Sequence, residues 1–116
     1  MAKEIEESFN VETLVIDVNF TAGLEIYDKI KQKIQGKEIG ILINNVGMGY
    51  ISPDYFLSVP DREQLIPDMI KCNVQSIPMM CSIVLPQMVE RKKGLIINIS
   101  SLSAIVPAGC LTIYSA

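Results

Sequence analysis

Ser100, Ser101 and Tyr114 are the residues whose chemistry stands out, together with Asn44, Asn45 and Asn73. Hydroxyls can hydrogen-bond a polar substrate atom, a phenol can give or take a proton, and amides can hold a backbone or a water in place. Tyr114 follows Ser101 by thirteen residues, and Ser101 closes the run Asn98-Ile99-Ser100-Ser101. Taken alone, a serine at a strand tip and a nearby tyrosine equally fit an ordinary polar loop. The 116 residues contain no histidine, which removes a Ser-His-Asp or Cys-His mechanism for this chain. Cys72, Cys81 and Cys110 are odd in number and lack ligand-like spacing, so neither zinc nor a disulfide framework is expected.

These groups need strands and helices to position them. Leu95–Ile99 is a short apolar run rich in β-branched residues, read as a fully buried strand of a parallel sheet. Ile39–Ile43 has the same character and leads into Asn44-Asn45-Val46-Gly47. Thr13–Val18 is a third such run, with Asp17 near its end. Open α/β sheets place ligands at the carboxyl ends of their strands, where all these polar residues fall. A helix is expected from Ala22 to about Gln35, with Leu24, Tyr27, Ile30 and Ile34 on one stripe and Gly36 as its stop. Two further helices are expected, about Arg62–Lys71 and Val74–Arg91, with Pro67 and Pro78 near helix starts and Pro86 at a kink. Residues 2–9 read as the tail of a helix, and residues 48–60, with two prolines and three aromatics, as a loop. Strand, helix, strand, helices, strand is an α/β order with a parallel sheet.

With 49% hydrophobic residues the composition is globular, and the length bounds it to one domain at most. Net charge is −3 with no basic block, which argues against a nucleic-acid surface. The cluster Glu90-Arg91-Lys92-Lys93 is expected to be a solvated helix end complementing the helix dipole. No apolar run is long enough to span a membrane as a helix, and nothing at the start resembles a signal peptide.

Four motifs in order carry a resemblance. Asn44-Asn45-Val46-Gly47, Asn73, Asn98-Ile99-Ser100-Ser101 and Tyr114-Ser115-Ala116 together resemble the short-chain dehydrogenase/reductase family. Within it the chain is similar to the 17β-hydroxysteroid dehydrogenase branch. The resemblance implies a Rossmann-like doubly wound sheet, with residues 1–116 forming part of one dinucleotide-binding domain. It implies that Tyr114 is the catalytic acid or base, that Ser101 hydrogen-bonds the substrate oxygen, and that Asn73 anchors a water in a proton relay. A helix-cap or turn role is the alternative for Asn73. Asp17 and Val18 would meet the adenine, and Asn44, Val46 and Gly47 would contact the cofactor, NADPH/NADP+. Asn45 would brace neighbouring strands.

A free tyrosine ionises near pH 10. The family supplies help through a lysine four residues on, at position 118, beyond the last residue here. The Gly-rich pyrophosphate turn, the first two strands and the substrate lobe also fall outside. The chain is therefore expected to be an internal fragment that neither folds nor binds cofactor alone. In the usual strand order the two absent strands fall between those of Asp17 and Asn44, leaving an exposed apolar face.

The implied substrates are a 3-oxoacyl-CoA or a 17-ketosteroid, and the implied location is the endoplasmic reticulum membrane with an anchor outside these residues. A homodimer is implied through the helix after Val74, with Met79, Met80, Ile83 and Met88 as its apolar face or as packing against the sheet. A non-catalytic binding or scaffold protein of the same family is the alternative function.

Overall fold

Leu42 and Ile96, and then Asn44 and Asn98, sit side by side in a parallel pair of strands, β1 (Ile41–Asn44) and β2 (Leu95–Asn98). The computed structural model describes residues 1–106 and 108–116. Among these the sheet has two strands, extended at its ends by Leu95 N–H to Gly40 O (3.0 Å) and Ile99 N–H to Asn44 O (2.9 Å). The α/β class with a parallel sheet is as the sequence predicts. Burial of both faces is not. Asn44 looks toward Cys81 of the helix covering one face, with Nδ2 3.8 Å from Sγ. Ile41 and Ile43, pointing the other way, are 58% and 56% exposed. One covering helix buries one face, so the opposite face keeps its isoleucines in solvent.

The expected strand at Thr13–Val18 is absent as a strand. It pairs with neither β1 nor β2, and a strand exists only through a ladder partner. Leu14 and Val15 stay exposed, and the other apolar residues, with Phe20 beyond the run, are taken up elsewhere. Ile16, Val18 and Phe20 pack on Ile26, Tyr27 and Ile30 of helix α2 (Glu25–Lys33). Lys29 Nζ also donates to Asp17 O at 2.6 Å. Helix α2 is shorter than expected at both ends, with Glu25 and Asp28 in its first turn and Lys31 and Lys33 in its last, matching the helix dipole. Gly36 turns the chain away at φ 75°, a left-handed conformation that glycine adopts without strain. The N-terminal helix α1 (Ala2–Phe9) is as predicted. It is tied back by Glu6 Oε1, which accepts from Thr13 N–H (3.0 Å) and Thr13 Oγ1 (2.7 Å).

The two helices expected between residues 62 and 91 are one. Helix α3 (Arg62–Met69) runs without a break through a π-helical turn, Ile70–Gln75, into α4 (Ser76–Arg91). In the wide turn Ser76 N–H reaches back five residues to Lys71 O, while Ser76 Oγ donates to Cys72 O at 2.6 Å. Ser76 is accordingly a buried polar residue with its hydroxyl satisfied. Pro67 is interior to α3 and not near its start, whereas Pro78 near the start of α4 and Pro86 in its interior stand where the sequence puts them. Burial on the inner face sustains the helix through them, with Met69 only 2% and Val84 1% exposed.

Met79, Met80 and Ile83 pack against the α2 cluster, and Met88 is buried. These residues therefore do not form a free face. The exposed apolar residues of the long helix are Ile70, Val74, Leu85 and Val89. A Cβ on Gly94 would stand 2.5 Å from Met88 Cγ, so the lead-in to β2 needs glycine at that close approach. At the end of α4 the expected solvated cluster is part clamp. Arg91 Nη1 pairs with Glu38 Oε1 (2.8 Å), Nη2 donates to Ile39 O (2.7 Å), and Gln87 Oε1 accepts Ile39 N–H (2.9 Å). The residues leading into β1 are thereby pinned to the helix.

Candidate active site

The strand tips are joined first. Asn44 Nδ2 donates to Asn98 Oδ1 at 2.8 Å, at the paired last positions of β1 and β2. The bracing role expected of Asn45 thus belongs to Asn44, and Asn45 is exposed. Alternation along the strand decides between adjacent asparagines: one side chain faces the neighbouring helix and strand tip, and the next faces away. Beyond the tips, the Val46-Gly47 backbone is open to solvent, and a Cβ at Gly47 would meet only Asn73 Oδ1, at 3.7 Å.

Asn73 lies in the π-helical turn and holds the loop that follows β1. Its Oδ1 accepts Met48 N–H at 2.8 Å and its Nδ2 donates to Met48 O at 2.7 Å. Neither the helix-cap nor the simple turn alternative describes it. The side-chain amide is thus engaged on Met48. Cys72, in the same turn, is buried, and burial pushes its thiol above the ordinary value.

Ser101 stands before the 3-10 turn Leu102–Ala104, where its Oγ accepts Ser103 N–H at 3.2 Å. Tyr114 is carried by a one-turn helix, α5 (Thr112–Ser115), and its ring lies over Gly49. Asn44, Val46, Gly47, Asn73, Ser101 and Tyr114 all line one cleft of about 740 Å³. That volume lies within the ordinary range for small-molecule sites. Ser100 lines it as well. Asp17 and Val18 do not: Asp17 is exposed, its carbonyl bonded to Lys29, and Val18 packs toward α2. Met48, Gly49 and Tyr50, which the sequence marks only as loop, form the floor between Asn73 and Tyr114. Their one sequence signal is the small residue at Gly49 beside an aromatic. Among the described residues no cluster of three or more acidic, cysteine or histidine side chains offers a metal site.

A family model for short chain dehydrogenase matches residues 1–116. The very-long-chain 3-oxoacyl-CoA reductase of Homo sapiens is 55% identical over 116 residues, all of this chain and 37% of that protein. The chain thus spans little more than a third of the length of the curated relative it matches. The bulky-bulky ketone specific alcohol dehydrogenase of Comamonas testosteroni superposes with a TM-score of 0.82 at 27% identity, over 98% of this chain and 44% of the other. A short-chain dehydrogenase of Sphingobium yanoikuyae, solved in complex with NADPH, shares the fold at a TM-score of 0.82 and 24% identity, over 98% and 43% of the two chains.

Proposed function

This chain belongs to the short-chain dehydrogenase family, and from that premise we propose that the protein carrying it reduces a ketone with hydride from NADPH. The observation that carries the reading is the single cleft in which Ser101 and Tyr114 meet Asn44, Val46, Gly47 and Asn73. The residues fit such a cofactor, because the open Val46-Gly47 backbone leaves a cradle that a side chain would fill. Asn44, Val46 and Gly47 would hold its nicotinamide end. Asp17 and Val18 lie outside this cleft, and the family resemblance alone assigns them to the adenine. Bound there, NADPH supplies the hydride.

The chain's own residues handle the oxygen and the proton. Ser101 Oγ, already oriented by accepting Ser103 N–H, has its proton free to donate to the substrate carbonyl oxygen. Tyr114 gives its phenolic proton to the same oxygen as it gains charge, and takes it back in the reverse direction. Asn73, whose side chain is held on Met48, is the residue proposed to anchor a water that returns a proton toward Tyr114.

A 3-oxoacyl-CoA is the substrate proposed, because relatives of that name match the whole chain. The corresponding process is very-long-chain fatty-acid elongation, at the endoplasmic reticulum membrane. No helix among the described residues is long and apolar enough to cross a membrane. A homodimer through the long helix would use Leu85 and Val89, exposed on it away from the cleft.

The test is NADPH oxidation by the full-length protein with a long-chain 3-oxoacyl-CoA and, in parallel, a 17-ketosteroid. Turnover of the acyl-CoA is expected, with Tyr114→Phe and Ser101→Ala each lowering kcat by roughly 100-fold or more. Preference for the steroid would reassign the substrate, and a wild-type rate in Tyr114→Phe would remove the mechanism.

A further inference from the structure

The helix that carries Tyr114 cannot cap itself. Its N-cap residue is Leu111, whose side chain has no acceptor, and the helix spans only four residues. The N–H of Ile113, in its first turn, is bonded instead from sixty-three residues away, by Tyr50 Oη at 3.1 Å. Gly49, next to Tyr50, lies under the Tyr114 ring, where a Cβ would stand 3.5 Å from Cδ2. Met48, one residue earlier, is the residue gripped on both its N–H and its C=O by Asn73. Residues 48–50 thus form a strap with one end fastened to the π-helical turn and the other to α5.

We propose that Tyr50 is a positioning residue for Tyr114, its hydroxyl accepting the Ile113 N–H to fix the first turn of α5 and hence the direction of the Tyr114 phenol. It acts through the backbone in this role, from a place on the floor of the same cleft. The strap explains why the π-helical turn and the tyrosine, on separate elements, keep one relative placement. A small displacement of an acid from its acceptor carries a large rate penalty, so the hydroxyl matters more for rate than for binding.

This inference rests on the proposed reductase reading, and its test separates the two. In full-length protein, Tyr50→Phe removes one oxygen and keeps the ring. The rate per NADPH-binding site is expected to fall roughly tenfold, with NADPH affinity within about twofold of wild type. A merely structural role would lower the number of binding sites and leave the rate per site unchanged, which overturns the proposal. Amide hydrogen exchange gives a readout that needs no activity. The Ile113 N–H is expected to be protected in wild type and to exchange faster in Tyr50→Phe. Exchange of that amide at the free-peptide rate in wild type also overturns the proposal, whatever any variant does. Should Tyr50→Phe not fold, Ile113→Pro removes the same bond from the donor side, proline being tolerated in a first helical turn. It is expected to reproduce the loss of rate per site, and an unchanged rate would count against the strap. A wild-type protein inactive on every ketone but protected at Ile113 would sink the reductase reading and leave the contact standing.

Discussion

The long helix from Arg62 to Arg91 and the segment 11–20 both bring apolar residues to α2, yet they hold the molecule in different ways. The helix reaches its neighbours with polar side chains aimed at backbone: Asn73 at Met48, Lys71 at Thr21 O (3.2 Å), and Gln87 and Arg91 at Ile39. Segment 11–20 sends out little and is held from outside, by Glu6 at Thr13, Lys29 at Asp17 and the apolar contacts of Ile16, Val18 and Phe20. Apolar contact is non-directional, whereas a hydrogen bond to a particular carbonyl fixes register. The cleft sits where the long helix sends its directional ties, and Asp17 and Val18 sit where one exposed bond from Lys29 and apolar contacts hold the chain.

Substitutions on the two sides sharpen this contrast. Met69→Ala at the inner face of the long helix empties a site only 2% exposed, and a loss of about 3 kcal/mol is expected in urea unfolding of the full-length protein. Asn73→Ala strips both bonds from Met48 and should cost about 2 kcal/mol. Asn73→Asp, which keeps the acceptor but sets a carboxylate oxygen against Met48 O, should cost at least as much, and a stability equal to wild type would show the two-bond clamp to be the wrong description. Arg91→Lys keeps the charge and loses the fork that spans Glu38 and Ile39, at about 1 kcal/mol. On the other side, Lys29→Met is expected to change stability by less than about 0.5 kcal/mol, because its bond to Asp17 O is exposed. A larger loss there than in Arg91→Lys would reverse the comparison.

The smallest expected effect is local and pH-dependent. The bonds from the side chain and then the backbone of Thr13 hold the Glu6 carboxyl below its ordinary value. The tether therefore contributes fully above the unfolded value of about 4.3 and is lost as pH falls through the lower folded value. Protection of the Thr13 amide, relative to a free peptide at the same pH, should fall on acidification below that point, and Glu6→Gln should flatten the response. A pH-independent Thr13 amide would show that the tether does not depend on the charge.

Much of this was legible in the residues, for particular reasons. Leu95-Ile-Ile and Ile41-Leu-Ile read as parallel strands because β-branched apolar runs have few other uses, and α2 followed from its stripe and its glycine stop. Ser101 and Tyr114 were found by type and spacing and do share one cleft. Thr13–Val18 reads as a strand but lacks a ladder partner, which is a property of two segments and not of one. The continuity of the long helix was hidden because Asn73 reads as a cap or turn residue and Pro78 as one near a helix start, whereas both fall within or just past the wide turn. The orientation of Met79, Met80 and Ile83 depends on that same turn, so an error in one carried into the other.

The π-helical turn also acts as a phase shift. It adds about one residue to one turn of helix, and one residue is roughly 100° of rotation along an α-helix. Every side chain of α4 is thereby rotated, relative to α3, to where Val84 and Met88 point inward and Leu85 and Val89 point out. Deleting a single residue between 70 and 75 would turn sixteen downstream residues onto the wrong face at once. A substitution changes one position of this helix; its length at the turn sets the meaning of all the others.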